Sequence, residues 1–195
     1  MTRIVFLDTE TTGLPKYRNA AALQAPFNWP EIVSVAWLVY EDGHLVSSSY
    51  GIIKPQGWMI SKDSIKIHGI TQEYAEKNGR NLGFMLRELS NDLDNATAVV
   101  AHNMEFDKNV LFNAYKWHLD TNPLHFWPGI EICTMAKSTD ELKLPSKFPT
   151  SYRPYKPPSL LELYEGTFPG KKFEGQHNSL KDTEALAEIY WARWK

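Results

Sequence analysis

The chain has 195 residues and a formal net charge of −2, with 21 lysines and arginines against 23 aspartates and glutamates. Hydrophobic residues make up 43% of it and charged residues 23%, which excludes a disordered chain, a collagen and a coiled-coil rod. Its length predicts one domain over residues 1–195, and its single cysteine, Cys133, excludes an internal disulfide and a cysteine-rich zinc site.

Three predicted strands open the chain as an antiparallel meander. Residues 3–7 are a short β-branched and aromatic run, which is typical of a buried strand. Residues 31–40 and 45–54 are the second and third predicted strands, and the Glu-Asp-Gly sequence at 41–43 supplies the turn between them.

Helices and strands alternate in the rest of the chain. Asn81 is a predicted N-cap for a helix with an apolar stripe at helical spacing, formed by Leu82, Met85, Leu86, Leu89 and Leu93. Residues 97–101 and 130–134 are predicted strands, the first of them parallel to strand 3–7 if the helix is a crossover. Asn103 is a predicted N-cap for the next helix, and Ser159 and Ser179 begin two more. This order predicts an α/β fold with a mixed sheet.

Two predicted loops are long and carry both aromatic and basic residues. They cover residues 15–30 and 138–158, and the second holds five prolines. Cations that meet phosphates and rings that stack on bases suit single-stranded nucleic acid. The alternative is that these aromatic residues pack the loops onto the core.

An acidic pair follows the first predicted strand. Alternation along a strand puts Asp8 and Glu10 on one face, where two carboxylates repel each other unless a cation or a proton lies between them. Oxygen ligands of this kind suit Mg²⁺ or Mn²⁺ better than zinc. Taken alone, the pair is also compatible with solvated acids at a strand end.

Two further acids lie in the first turns of predicted helices. Asp107 follows the buried strand 97–101, and Asp182 lies five residues after His177. The helix dipole favours an acid at either position, so each taken alone is explained by helix stabilisation.

The order of these segments resembles that of the DEDDh 3′–5′ exonucleases, which include proofreading subunits of bacterial polymerases and the three-prime repair exonucleases. The sequence Asp-Thr-Glu-Thr-Thr-Gly-Leu at 8–14 resembles the first motif of that family, and Ile-His-Gly-Ile-Thr at 67–71 resembles a segment that follows its third strand. His-Asn at 102–103 with Phe-Asp at 106–107 matches the second motif, and His177 with Asp182 matches the third. The resemblance implies an RNase H-like α/β fold, a five-stranded mixed sheet flanked by helices.

The resemblance also implies roles for individual residues. Four carboxylates would be catalytic ligands of two divalent metal ions, Mg²⁺ or Mn²⁺: Asp8, Glu10, Asp107 and Asp182. His177 would be the catalytic general base, since imidazole takes up a proton readily near neutral pH. Three residues would contact the terminal nucleotide: Thr11, Leu14 and Asn103.

The predicted activity is metal-dependent hydrolysis at the 3′ end of single-stranded or frayed DNA, which releases nucleoside 5′-monophosphates. The alternatives are an exoribonuclease on short RNA and an inactive nuclease-fold module that binds nucleic acid. A polymerase or a second copy of the chain would be the protein partner. The first apolar run, residues 4–7, is too short for a signal peptide, and no run of about 20 apolar residues follows it. We therefore expect no membrane association and no secretion, and a location in the cytoplasm, nucleoid or nucleus.

Overall fold

Five strands form one mixed sheet in the computed structural model, which describes residues 2–195, with residue 153 described by its backbone alone. They are Arg3–Thr11 (β1), Ile32–Glu41 (β2), His44–Ile52 (β3), Ala98–Ala101 (β4) and Ile130–Cys133 (β5). Their order across the sheet is β3-β2-β1-β4-β5. The first three strands are antiparallel and β4 runs parallel to β1, as the sequence predicts. Strand β5, whose direction was not predicted, runs parallel to β4.

Helices connect and flank the strands. They are Lys62–His68 (α1), Gln72–Asn78 (α2), Leu82–Asp94 (α3), Met104–Asn113 (α4), Thr134–Leu142 (α5), Leu160–Thr167 (α6) and Ser179–Arg193 (α7). A π-helical turn, Ala114–His118, continues α4, and a 3₁₀ turn covers Pro123–His125. A separate hairpin consists of Pro145–Thr150 (β6) and Arg153–Tyr155 (β7). Across residues 2–195, no helix combines the length and the apolar character that crossing a membrane requires.

Different helices cover the two faces of the sheet. Leu7 of β1 lies in the buried cluster formed with α3 and α4, whereas Phe6 lies on the opposite face against Leu186 of α7. Because side chains alternate along a strand, Asp8 and Glu10 share the face of Phe6. The two acids therefore lie under the N-terminal end of α7.

The helix α3 forms as its sequence predicts. The Asn81 side chain accepts a hydrogen bond from the Phe84 N–H, which caps the helix, and the buried residues of α3 are those of the predicted stripe. The predicted turn at 41–43 is also confirmed, because Asp42 and Gly43 both adopt positive φ angles, as a two-residue hairpin requires.

Strand β1 is longer than predicted and includes the acidic pair. Thr9 pairs with Val35 and Thr11 with Ile32, so backbone pairing with β2 continues beyond the apolar run, with a register shift between Glu10 and Thr11. A bulge of this kind changes the direction of the side chains beside it. Asp8 and Glu10 are thus held on a paired strand and are not loose acids at its end.

Two other expectations need correction, and two helices were not predicted. The prediction that the Asn103 side chain caps α4 is wrong: Asn103 has a left-handed backbone (φ 73°), and its side chain makes no capping bond. Residues 138–158 are not one loop, because they contain the end of α5 and the β6–β7 hairpin. Helices α1 and α2 were not predicted, since they are only seven residues long and each buries one small residue, Ser64 and Ala75.

Candidate active site

Three of the predicted site residues meet where the N-terminal end of α7 lies over β1. Ligand atoms of Glu10, His177 and Asp182 all lie within 4.8 Å of one another. The Ser34 hydroxyl of β2 and the Ser179 hydroxyl of α7 are hydrogen-bonded at 2.9 Å, and Ser34 is the cross-strand partner of Glu10. This buried bond holds the first turn of α7, and with it Asp182, against the acidic end of β1.

Asp107 reaches the same region from the first turn of α4. Its carboxylate accepts hydrogen bonds from the Thr9 backbone N–H at 3.1 Å and from the Thr9 hydroxyl at 2.7 Å. The side chain is only 3% exposed. Thr9, which separates the two acids of β1 in sequence, thus fixes the third acid beside them.

The four carboxylates repel one another in a buried setting. Burial and the proximity of Asp107, Asp182 and Glu10 raise the pKa of Asp8 well above its ordinary value. Burial and the neighbouring acids also raise the pKa of Glu10 to about 8. Burial raises the pKa of Asp107 to about 7, although the Thr9 hydrogen bonds oppose this shift. Burial raises the pKa of Asp182 to about 7.

The acids have no cationic partner in the part of the chain that the structure describes. The ion pairs there involve other carboxylates. Four uncompensated carboxylates in one place cost free energy unless protons or cations neutralise them. Their oxygen atoms match the ligands that hard divalent cations prefer, so the donor set fits Mg²⁺ or Mn²⁺.

These pKa shifts predict that metal-free protein loses stability as the pH rises. In the folded chain the acids stay protonated up to about pH 7–8, whereas in the unfolded chain they ionise near pH 4. The protonated acids therefore add most to the free energy of unfolding at low pH, and their contribution is lost as the pH rises through 7–8. In EDTA, we expect the melting temperature to fall between about pH 6 and pH 8.5.

Asp107→Asn measures how much one acid contributes to this loss of stability at high pH. An asparagine Oδ1 can still accept both Thr9 hydrogen bonds, but it carries no charge. In EDTA at about pH 8.5 the variant should melt at least about 3 °C above the wild type, with a difference that shrinks toward low pH. A variant that is less stable at high pH would contradict the assignment.

A cavity of about 620 Å³ opens beside the acids. Asp8, Glu10, His177 and Asp182 lie on one side of it. The rest of its wall is largely apolar and includes Phe106, Met135, Pro158, Leu160, Leu161 and Phe173. A charged floor with an apolar wall suits a ligand that has both a phosphate and an aromatic base.

The three predicted contacts of the terminal nucleotide lie in different settings. Leu14 lines the cavity and is 67% exposed, and Asn103 lines it with an amide that makes no cap bond. Thr11 is buried, and its hydroxyl donates to the Gly13 carbonyl at 2.9 Å. Thr11 thus stabilises the turn that leads to Leu14.

The two histidines that line the cavity differ in the exposure and hydrogen bonding of their rings. His177 is exposed, lines the cavity, and has a left-handed backbone (φ 61°) just before α7. His102 lines the same cavity, but its Nδ1 is 3.0 Å from the Thr134 hydroxyl and its Nε2 is 3.0 Å from the Pro158 carbonyl oxygen. Burial lowers the pKa of His102 to about 4. His102 is therefore a neutral residue that links β4 to the cavity wall.

His102→Ala should lower the thermal stability of the protein. The buried Pro158 carbonyl would lose its hydrogen bond to His102, and the Thr134 hydroxyl would keep only its longer bond to the Ala101 carbonyl. The melting temperature should fall by about 3–8 °C. The loss should be similar from pH 5.5 to pH 8, because His102 stays neutral over that range. Thermal unfolding at several pH values checks this, and a loss confined to low pH would contradict it.

Comparison with known proteins identifies the family. Residues 5–190 match the model of the RNase T family, described as Exonuclease. The chain belongs to this exonuclease family. It is of the DEDDh 3′–5′ type, as the motifs indicate. No curated protein matches the sequence.

Solved structures of E. coli exonuclease I share the fold of this exonuclease chain. A complex with a dT13 oligonucleotide is 15% identical (TM-score 0.73) and covers 97% of this chain and 40% of its own. A zinc-bound complex with single-stranded DNA is 16% identical (TM-score 0.74) and covers 100% of this chain and 41% of its own. The chain thus spans about 40% of the length of these structures. The five-stranded mixed sheet flanked by helices is an RNase H-like fold, as predicted.

Sequence reasoning missed several residues of the site. Thr9 and the Ser34–Ser179 pair position the acids, and Met135 and Phe173 line the cavity. Thr9 could have been found, because it lies between two acids on the opposite face of the strand. The others carry no signal in the sequence, since their role depends on which distant segments meet.

Proposed function

We propose that residues 1–195 form one metal-dependent 3′–5′ exonuclease domain, which removes nucleoside 5′-monophosphates from single-stranded DNA. The observation that carries the proposal is that acids of β1 and α7 line one cavity together with an exposed imidazole, while Asp107 of α4 is hydrogen-bonded to Thr9 between the two β1 acids. An inactive binding module would have no need for this complete set of chemical groups.

The carboxylates of Asp8, Glu10, Asp107 and Asp182 would hold two divalent ions. Four negative charges balance the four positive charges of two such ions, so that the site would no longer repel a substrate phosphate. When bound, a pair of ions supplies a more acidic water and neutralises the charge on the leaving 3′-oxygen.

The other side chains of the cavity would position the substrate and move a proton. His177 would accept the proton of the attacking water, since its imidazole is exposed beside Glu10 and Asp182. The apolar wall would hold the sugar and base of the terminal nucleotide, and Leu14 at the rim would pack against the neighbouring base.

Two observations support single-stranded DNA as the substrate. Structures with the same fold are complexes of exonuclease I with dT13 and dA16 oligonucleotides. The cavity is open to the surface, and Leu14 projects from its rim, so that a separated strand end fits it better than a paired one.

Digestion of labelled oligonucleotides tests the proposal. With Mg²⁺ or Mn²⁺, a 5′-labelled single strand of DNA should shorten from its 3′ end and release mononucleotides, and EDTA should stop the reaction. A matched RNA strand and a blunt duplex should be cut more slowly. Faster cleavage of the RNA would show that RNA, and not DNA, is the preferred substrate. If neither strand is cleaved, the chain is an inactive module that binds nucleic acid.

A further inference from the structure

The β6–β7 hairpin displays aromatic rings that contribute nothing to the core. Phe148 is 86% exposed and Tyr152 is 94% exposed, and the hairpin is separate from the five-stranded sheet. Lys143 and Lys147 are exposed on the same segment, and neither takes part in an ion pair with any described side chain. Large exposed rings beside free cations indicate a binding surface.

The base of this hairpin is attached to the wall of the active-site cavity. The Lys156 N–H donates to the Leu144 carbonyl at 3.0 Å, and the Lys156 side chain pairs with Glu162 of α6. Two residues further on, the Pro158 carbonyl is bonded to His102, and Pro158 itself lines the cavity. The hairpin is thus fixed at its base while its tip is exposed.

A groove connects the hairpin with the active-site cavity. It has a volume of about 350 Å³ and lies between α5 and the hairpin, with Tyr152 and Tyr155 on one side and Thr139 on the other. Met135 lines both the groove and the active-site cavity, so the two spaces adjoin at this residue. Asp140 also lines the groove, as its one acidic member among the described residues.

We propose that the hairpin and its groove bind the nucleotides upstream of the 3′ end of a single DNA strand. This inference rests on the proposed function, which puts the terminal nucleotide in the active-site cavity. The strand would pass over Met135 into the groove, where Tyr152 and then Phe148 would stack on successive bases. Lys143 and Lys147 would meet its phosphates. Stacking on aromatic rings is independent of base identity, as an enzyme that digests any sequence requires.

The test compares two exposed-aromatic variants. Phe148→Ala/Tyr152→Ala removes both rings of the hairpin, and Phe84→Ala removes a ring that is 63% exposed on α3 as a matched control. Binding of a fluorescent oligothymidylate of about 20 nucleotides is measured by anisotropy in EDTA, where no hydrolysis occurs. Hydrolysis of thymidine 5′-p-nitrophenyl phosphate with Mn²⁺ is measured separately, because this ester is too small to reach the hairpin.

The hairpin variant should bind the oligonucleotide about 10- to 100-fold more weakly than the wild type and hydrolyse the ester at an unchanged rate. The control should match the wild type in both assays. An unchanged dissociation constant would overturn the inference, and so would an equal loss in both assays, which would show a general effect on the site. If the wild type digests neither the ester nor a 5′-labelled oligothymidylate with Mn²⁺, the proposed function fails, while the binding comparison in EDTA still decides the inference.

Salt dependence gives a second, independent readout. Lys147→Gln should reduce the slope of log K against log salt by about 0.7 for a single strand, because one phosphate contact is lost. The exposed Lys62→Gln on α1 is the matched control and should leave the slope unchanged. Equal slopes for Lys147→Gln and the wild type would contradict the proposed phosphate contact of Lys147.

Discussion

Replacing Asp8 by asparagine should lower turnover by about 10³-fold or more and weaken Mn²⁺ binding in the same variant. The substitution keeps the shape of the side chain but removes one of four neighbouring acidic groups. It also removes a buried carboxyl whose ionised form is disfavoured by burial and by repulsion from Asp107, Asp182 and Glu10. In EDTA the variant should therefore melt at a higher temperature than the wild type, although it binds metal less well.

Weaker Mn²⁺ binding together with a higher melting temperature in EDTA distinguishes the loss of a metal ligand from a general loss of stability. Isothermal titration with Mn²⁺ gives the affinity, and thermal unfolding with and without Mn²⁺ gives the stability. Asp94→Asn is the control, since Asp94 is an exposed acid at the end of α3. Asp8→Asn with wild-type Mn²⁺ affinity would remove Asp8 from the set of ligands.

Replacing His177 by alanine should lower turnover by about 10²–10⁴-fold and leave Mn²⁺ affinity within about threefold of the wild type. His177 is exposed and lies outside the buried clusters, so its loss should not change the melting temperature in EDTA. Its imidazole lies beside Glu10 and Asp182, where it can accept a proton without taking part in packing.

His125→Ala is the matched control, because His125 is an exposed histidine in the 3₁₀ turn, outside the lining of the cavity. It should keep wild-type turnover. His102→Ala extends the comparison, since His102 lines the cavity with both nitrogens engaged. If His177→Ala kept its full rate near neutral pH while His102→Ala lost it, the general base would be His102.

The sequence predicts those parts of the fold that depend on local pattern. Alternation puts Asp8 and Glu10 on one face, and the structure places both beneath α7. The stripe of α3 and its Asn81 cap follow from spacing and from side-chain chemistry within one turn. The parallel pairing of β4 with β1 follows from the crossover helix between them.

Features that depend on distant contacts are not predictable from one sequence. The Ser34–Ser179 bond joins residues 145 positions apart, and neither serine differs in context from other serines of the chain. Asn103 has the residue type of an N-cap, yet it has a left-handed backbone in the turn after β4, and its side chain makes no hydrogen bond to the helix. Asparagine tolerates that conformation, so the same residue type fits both roles.

The acids of the site are close together and have no lysine or arginine partner among the described residues, so their charge state depends on the pH and on bound cations. Burial keeps the charges poorly solvated, and neighbouring acids further raise the pKa values of Asp8 and Glu10. Such an arrangement costs free energy without a cation, so under the proposed function it would bind divalent ions when the pH is high enough to ionise the acids. Metal affinity should accordingly fall as the pH drops below about 7.

Anomalous diffraction from crystals grown with Mn²⁺ tests the central claim most directly. Two peaks should appear between β1 and the N-terminal ends of α4 and α7, about 3.5–4 Å apart, with carboxylate oxygens of Asp8, Glu10, Asp107 and Asp182 around them. The claim would be contradicted by crystals in which Mn²⁺ is bound only at other places, while the four side chains keep their positions and no peak lies between them.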